Sequence, residues 1–286
     1  MKKIWNKNCI IILLIVSSLA FPAFALEQKE DPETEYVISE LEYLDLVRNV
    51  RDRWDENSTI TRKDALTMAY LATNTWWDLY FPSRRFYNIF TSDGKNTTFS
   101  YDFDYAEEME AASEQTGMNF CFIDVKPEDE KMTYSLIMDG LLVGKDIDGQ
   151  ACARLYDMMT NEEALITLIR MLEYRSCTRT GPIKPWQLQE SESIYDKGLD
   201  LGLIKSDNVD VRKEGEYVKP VYFPKDSLNK PIKAFDYFKM YYCALGINIR
   251  LGSGYGADWT SNYLSIIREE RKTYDPSIPL AEDILS

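Results

Sequence analysis

The charged and nucleophilic residues of this chain limit its chemistry before any element is assigned. The 286 residues contain no histidine, against 33 Lys and Arg and 47 Asp and Glu. Without imidazole there is no Ser-His-Asp or Cys-His nucleophile, no His-ligated metal and no ordinary proton carrier near neutral pH. Ser92 and Lys95 have the S-x-x-K spacing of serine acylases, but the partner motifs are missing and the pair falls in an expected turn. Asp146-Ile147-Asp148-Gly149 hints at a calcium loop. With Gly149 as its sixth residue, the first would be Gly144 and the twelfth Leu155, and neither supplies a carboxylate. Gly252-Ser253-Gly254-Tyr255-Gly256-Ala257 fits a loose dinucleotide pattern, with too little chain after it to build that fold. Some of the acids will lie close together, yet nothing marks a glycosidase pair. The expectation is a non-catalytic protein with no cofactor and no metal, an acid-residue hydrolase being the minor alternative.

Cysteine usage leaves more open. Beyond Cys9 there are Cys121, Cys152, Cys177 and Cys243, an even number that permits two disulfides in three pairings. The alternative is reduced thiols acting as small hydrophobes, preferred for Cys243 inside Tyr241-Tyr242-Cys243-Ala244-Leu245. No CxxC pair points to zinc.

The N-terminus reads as an export signal. Lys2, Lys3 and Lys7 precede the apolar run Ile10 to Phe21, Pro22 breaks it, and Ala23-Phe24-Ala25 gives an A-x-A cleavage site. The run is well short of the roughly 20 residues a membrane span needs. No later stretch is long and apolar enough to span a bilayer, so a secreted, soluble chain is expected. Losing three lysines with the leader takes the net charge from −14 to −17. Such a surface repels nucleic acid and anionic membrane, and also an anionic polymer unless cations are gathered locally. Hydrophobic residues at 45% and aromatic residues at 13% argue for a folded chain.

Periodicity supplies the elements. Residues 26–34 are an acidic, flexible leader. Val37, Ile38, Leu41, Leu44, Leu46, Val47, Val50 and Trp54 predict a helix over 35–54. Thr61-Arg62-Lys63-Asp64 opens a second helix, with Thr61 as cap and Asp64 reaching back as in a capping box, until Pro82 stops it. The β-prone runs around Asp93-Gly94 predict a hairpin within residues 84–101. Helices are expected over Tyr105 to Thr116, 133–142, 161–175, 187–201, 233–245 and Trp259 to Lys272. Residues 207–225 and the glycines at 252–256 read as loops.

One unit recurs. Its best copy opens with Phe122-Ile123-Asp124-Val125, turns at Gly140-Leu141-Leu142-Val143-Gly144, carries Asp148-Gly149, and starts a second helix with Thr160-Asn161-Glu162-Glu163-Ala164. A second copy runs from Ile194 through Gly202-Leu203-Ile204 to Ile232-Lys233-Ala234-Phe235-Asp236. A third keeps Ile60-Thr61-Arg62-Lys63-Asp64 without the glycine turn. In order and content this resembles the S-layer homology repeat, whose pattern is F-x-D-V, an apolar helix, G-I-I-x-G, a D-G loop and T-R-A-E.

The resemblance implies a mainly α protein. About three helix–loop–helix S-layer-homology-like repeats would surround a shared helical bundle, with a small β-hairpin insertion. The expected organisation is a signal peptide (1–25), a leader (26–34) and repeat 1 (35–82). An insertion with hairpin and helix (83–121), repeat 2 (122–180), repeat 3 (181–246) and a C-terminal loop and helix (247–286) follow. The helix openings at Thr61, Thr160 and Lys233 lie 99 and 73 residues apart, longer than in the family, which is why the hairpin region reads as inserted. In the family, grooves between repeats bind an acidic secondary cell-wall polysaccharide through the arginine of T-R-A-E. The implied glycan-binding residues are therefore Arg62, Thr61, Asp64, Gly140 and Gly144. A guanidinium grips a carboxylate at two points, and a helix N-terminus adds partial positive charge. Asn161 and Ala234 stand in the arginine place of the other two units, so one site of three keeps its charge. Arg62 has a structural reading as well, a solvated first-turn residue paired with Asp64 or Glu56, and the glycines can serve simply as helix terminators. Trp76, Trp77, Trp186 and Trp259 could stack on sugar rings, core packing being the commoner use. The implied partner is a cell-wall polysaccharide or another envelope protein, with the oligomeric state open.

Overall fold

The computed structural model describes residues 31–80, 104–172, 193–206, 218–251 and 259–273, and these are mainly helical. The helices are α1 (Pro32–Tyr43), α2 (Val50–Arg53), α3 (Arg62–Tyr80), α4 (Tyr105–Thr116), α5 (Glu130–Met138), α6 (Asn161–Leu172), α7 (Ile194–Asp200), α8 (Ala234–Leu245) and α9 (Tyr263–Thr273). Three two-stranded pairs accompany them: antiparallel β1 (Lys145–Ile147) with β2 (Gln150–Cys152), parallel β3 (Ile204–Lys205) with β4 (Val221–Tyr222), and antiparallel β5 (Ile249–Leu251) with β6 (Trp259–Ser261). The signal segment, the expected hairpin at 84–101, the glycine loop at 252–256, Cys177 and Trp186 lie outside the described residues.

Several boundaries differ from those expected, each for a local reason. The helix predicted over 35–54 breaks after Tyr43. Asp45 and Asn49 take left-handed φ of 57° and 52°, and the Glu42 carboxylate accepts the Val50 amide at 3.0 Å. The break lets Leu44, Leu46, Val47 and Val50 all turn inward, which one helical face could not do. The helix expected over 133–142 is displaced to Glu130–Met138. Pro127 leads a 3-10 turn into its start, and Gly140 at φ 70° ends it, turning Leu141 and Leu142 into the core. Part of the loop expected over 207–225 is strand β4. Trp259 begins strand β6 rather than a helix, and α9 starts four residues later, where the Asn262 side chain accepts the Ser265 amide at 2.8 Å.

The starts of α3, α6 and α8 are tied together by one recurring bond. The Arg62 amide donates to Asp157 O, the Asn161 amide to Lys230 O and the Ala234 amide to Ser58 O, each at 2.9 Å. In every case the donor follows Thr61, Thr160 or Lys233, and the acceptor lies three residues before the next of them, so the set closes on itself. Isolated β-bridges join Thr59 to Lys233, Thr61 to Met158 and Thr160 to Pro231. Inside this junction Ile60, Met159 and Ile232 are at most 1% exposed, and the Met159 and Ile232 amides donate to Ile60 O and Met159 O.

Helices α3, α6 and α8 each pack against the other two, α1 packs on α8, α7 on α6, and α9 on α3 and α8. One hydrophobic cluster runs from Val37 to Ile267 through all of them. Buried tyrosines pin the helices across that cluster. Tyr237 donates to Ala65 O at 2.8 Å, Tyr241 to Met68 O at 2.6 Å and Tyr263 to Met171 O at 3.1 Å. Burial holds the Tyr237 and Tyr241 hydroxyls protonated far above the usual range, as donors to backbone must be.

Candidate functional site

Thr61 and Asp64 position Arg62. The Asp64 amide donates to Thr61 Oγ1 at 3.1 Å, and that hydroxyl donates to Asp64 Oδ2 at 2.7 Å. Asp64 also pairs with Arg53. The capping role expected of Thr61 is therefore filled, while Asp64 meets its hydroxyl and an arginine. The Arg62 and Lys63 amides donate to Asp157 O and Leu155 O at 2.9 and 2.7 Å. Three first-turn amides that might have faced an anion are thus already used within the chain.

The Arg62 side chain is not a solvated residue paired with Asp64 or Glu56. It is 12% exposed, with Nη1 meeting Glu163 Oε1 at 2.9 Å and Nη2 donating to Ala153 O at 3.4 Å. Its Nε–H is buried with no acceptor. Glu163 is shared: Oε1 also accepts Arg154 Nη1 at 3.0 Å, while Oε2 accepts the Thr160 amide at 3.0 Å in a capping box completed by the Glu163 amide on Thr160 Oγ1. Burial pulls the Arg62 pKa below its ordinary value against the opposing attraction of Glu163. For Arg154 burial acts the same way, but the bonds to Asp157 and Glu163 outweigh it and hold the pKa above the ordinary value.

Arg154 sits at φ 58°, a conformation arginine rarely takes. Asp124 holds it there, accepting the Ala153 and Arg154 amides at 2.7 Å each. Arg154 Nε in turn donates to Asp157 Oδ2 at 2.7 Å. A third guanidinium, Arg170, lies two turns along α6 from Glu163 on the same face. Its Nη1 donates to Leu141 O at 3.2 Å, and its Nε–H is also buried without an acceptor. Burial and the nearby charge of Arg62 bring its pKa down to about 10.

The two glycines flank this cluster differently. Gly140 ends α5, its amide donating to Ile137 O at 2.9 Å. Gly144 stands at φ 76°, and a Cβ there would lie 2.3 Å from the Phe122 ring and 2.8 Å from Cys152 O. No other residue fits. Phe122, Asp124 and Gly144 thus have work within the fold: Phe122 lies over Gly144, and Asp124 grips the end of β2.

At the place equivalent to Arg62, Asn161 is buried and donates from Nδ2 to Ser227 O at 2.9 Å, and Ala234 offers no polar group. Of the three junctions only the one at Arg62 carries a guanidinium at that position. The side chains of Trp76, Trp77 and Trp259 lie outside the described residues. Cys121 and Cys152 are free thiols. Among the described residues no cluster of His, Cys, Asp and Glu could hold a metal, and no helix is long and apolar enough to cross a membrane.

Sequence reasoning missed Glu163, Arg154 and Arg170 as members of the site. Glu163 carried a local signal as the third residue of a capping box, and Arg170 lies seven residues on, hence on the same helical face. Arg154 carried none, since its place depends on a left-handed turn fixed by Asp124 from 30 residues away. No protein-family model, curated protein or solved structure matches this chain.

Proposed function

We propose that the chain is a secreted, non-catalytic module of three diverged S-layer-homology-like units, and that it associates with the bacterial cell envelope by binding an acidic wall polysaccharide at the Arg62 junction. Supporting the unit reading is the cyclic bond from Arg62, Asn161 and Ala234. So is the packing of each unit's first helix on a neighbour's second: α1 on α8, α7 on α6, and α5 on α3 through Thr67 Oγ1 to Met132 Sδ at 3.3 Å. The single observation that carries the binding reading is the gathering of Arg62, Arg154 and Arg170 in a chain of net charge −14. An acidic polymer needs such a local concentration of cations to approach so acidic a protein.

Co-sedimentation of the full chain with purified wall sacculi tests the proposal. Binding should weaken about tenfold in Arg62→Ala, the scale of one charge-assisted hydrogen bond, and fall with added salt. A second reading, an extracellular protein–protein module that kept the fold and lost the glycan site, is favoured by the closed junctions at Asn161 and Ala234. It predicts no sedimentation with sacculi at any ionic strength. Release of reducing sugar would instead mark a hydrolase.

A further inference from the structure

Nine methionines follow Met1, and all of them lie among the described residues. Six are at most 6% exposed, and Met118 and Met138 are half-buried. Met158 is the one open to solvent, at 48%. It stands where the helix starts meet. Its thioether sulfur accepts the Thr59 hydroxyl at 3.0 Å, while β-bridges join Thr59 to Lys233 and Met158 to Thr61. One side-chain contact thus ties the segment before α6 to the segment before α3, which is itself bridged to the start of α8. The backbone on either side of Met158 is held in place: Asp157 O accepts the Arg62 amide and the Met159 amide donates to Ile60 O, both at 2.9 Å. A second methionine makes the same kind of bond, Met132 Sδ accepting Thr67 Oγ1 at 3.3 Å, but it is only 6% exposed. The chain therefore has one such tie within reach of solvent and one shielded from it.

We propose that Met158 is a peroxide-reactive modification site, and that its sulfoxide releases Thr59 and loosens the junction. A thioether sulfur has two lone pairs. One takes the Thr59 hydroxyl, which leaves the other for an oxidant arriving from solvent. With hydrogen peroxide, that pair forms the S–O bond as the O–O bond breaks. Sulfur is oxidised by two electrons and the peroxide is reduced; the departing hydroxide takes the proton of the transferred oxygen and leaves as water. The sulfoxide accepts hydrogen bonds at oxygen rather than sulfur, and no oxygen fits between Sδ and a hydroxyl 3.0 Å away, so the Thr59 bond is lost. Methionine sulfoxide reductases reverse the step, which makes the mark erasable. The inference rests on the geometry of the junction and not on any polymer that binds there.

The test treats the full chain with hydrogen peroxide at pH 5, where cysteine thiols carry almost no thiolate and stay out of the reaction. Oxidised peptides are mapped by mass, and thermal unfolding is followed in parallel. Met158 should be the first methionine oxidised, and Met132 should react only once urea has unfolded the chain. The unfolding midpoint should fall by about 2–4 °C, the scale of one lost hydrogen bond in a chain of this size, and treatment with methionine sulfoxide reductase should restore it. Thr59→Val removes the hydroxyl and keeps the branched shape. It should lower the midpoint of the untreated chain and leave peroxide without further effect. Met158→Leu should hold its midpoint through the treatment. Oxidation of another methionine ahead of Met158, an unmoved midpoint once Met158 is oxidised, or an equal fall in Thr59→Val or Met158→Leu overturns the proposal. Should either variant not fold, the wild-type map and midpoint decide.

Discussion

Gly144 and Gly149 share a left-handed backbone, at φ 76° and 82°, but only Gly144 is also enclosed. Gly149→Ala meets nothing within 4 Å and should cost about 1 kcal/mol, the backbone strain alone. Gly144→Ala must also displace the Phe122 ring and a backbone oxygen, and should cost about 2–4 kcal/mol by urea unfolding. Equal losses at the two positions would mean that the Phe122 contact contributes nothing. Asp236 gives a pH-dependent test. Burial raises its pKa, and Lys239 and Lys233 only partly offset this, Lys239 being also paired with Asp31 at 2.7 Å. A carboxyl whose folded pKa exceeds the unfolded one loses stability as pH climbs from the ordinary value near 3.8 through the raised value, and the penalty is complete at neutral pH. Asp236→Asn should therefore raise the unfolding midpoint at pH 7, with the gain shrinking as pH falls toward 3.8. A gain independent of pH would dissociate it from ionisation. At this scale the sequence marked the helix start at Arg62, because Thr61 and Asp64 flank it three residues apart. It did not reveal that Arg62 would be enclosed by Glu163 and Ala153, since those contacts span about a hundred residues and follow no local period.

Among the elements, helices with a cap, an apolar stripe and a clear stop were legible. Helix α4 runs from Tyr105 to Thr116 as expected, with Asp104 accepting the Ala106 and Glu107 amides and Gly117 ending it at φ 71°. Elements defined by their partners were not. Strands β3 and β4 have two residues each and exist through parallel pairing with each other, for which so short a run leaves no alternation to read. The interruption after α1 likewise depends on burying four apolar residues at once. The tyrosine pins on α8 make a prediction at this scale. Tyr237→Phe and Tyr241→Phe each remove one buried interhelical bond to α3 while keeping the ring, and each should destabilise by about 1 kcal/mol in urea unfolding. No effect from either would mean that α8 is held to α3 by packing alone. Thr160→Ala, which opens the capping box of α6, should cost about 1 kcal/mol and also loosen Glu163, so that sensitivity of sacculus binding to this variant would tie the cap to the site.

For the whole molecule, the mainly α character followed from periodicity and capping. The meeting of α3, α6 and α8 followed from no local pattern, because the bonds that join their starts link residues from Ser58 to Lys230 and Ala234. That closed set makes each helix start depend on the other two, and one hydrophobic core runs through the described helices. Calorimetry of the full chain should accordingly show one cooperative transition, whereas two well-separated transitions would contradict the shared core. The most direct test of the central claim, that the Arg62 junction is where an acidic envelope polymer binds, is amide hydrogen exchange of the full chain with and without solubilised acidic wall glycan. The account predicts added protection concentrated at residues 58–64, 140–144 and 152–157. Unchanged exchange there, or protection confined to other parts of the chain, would contradict it.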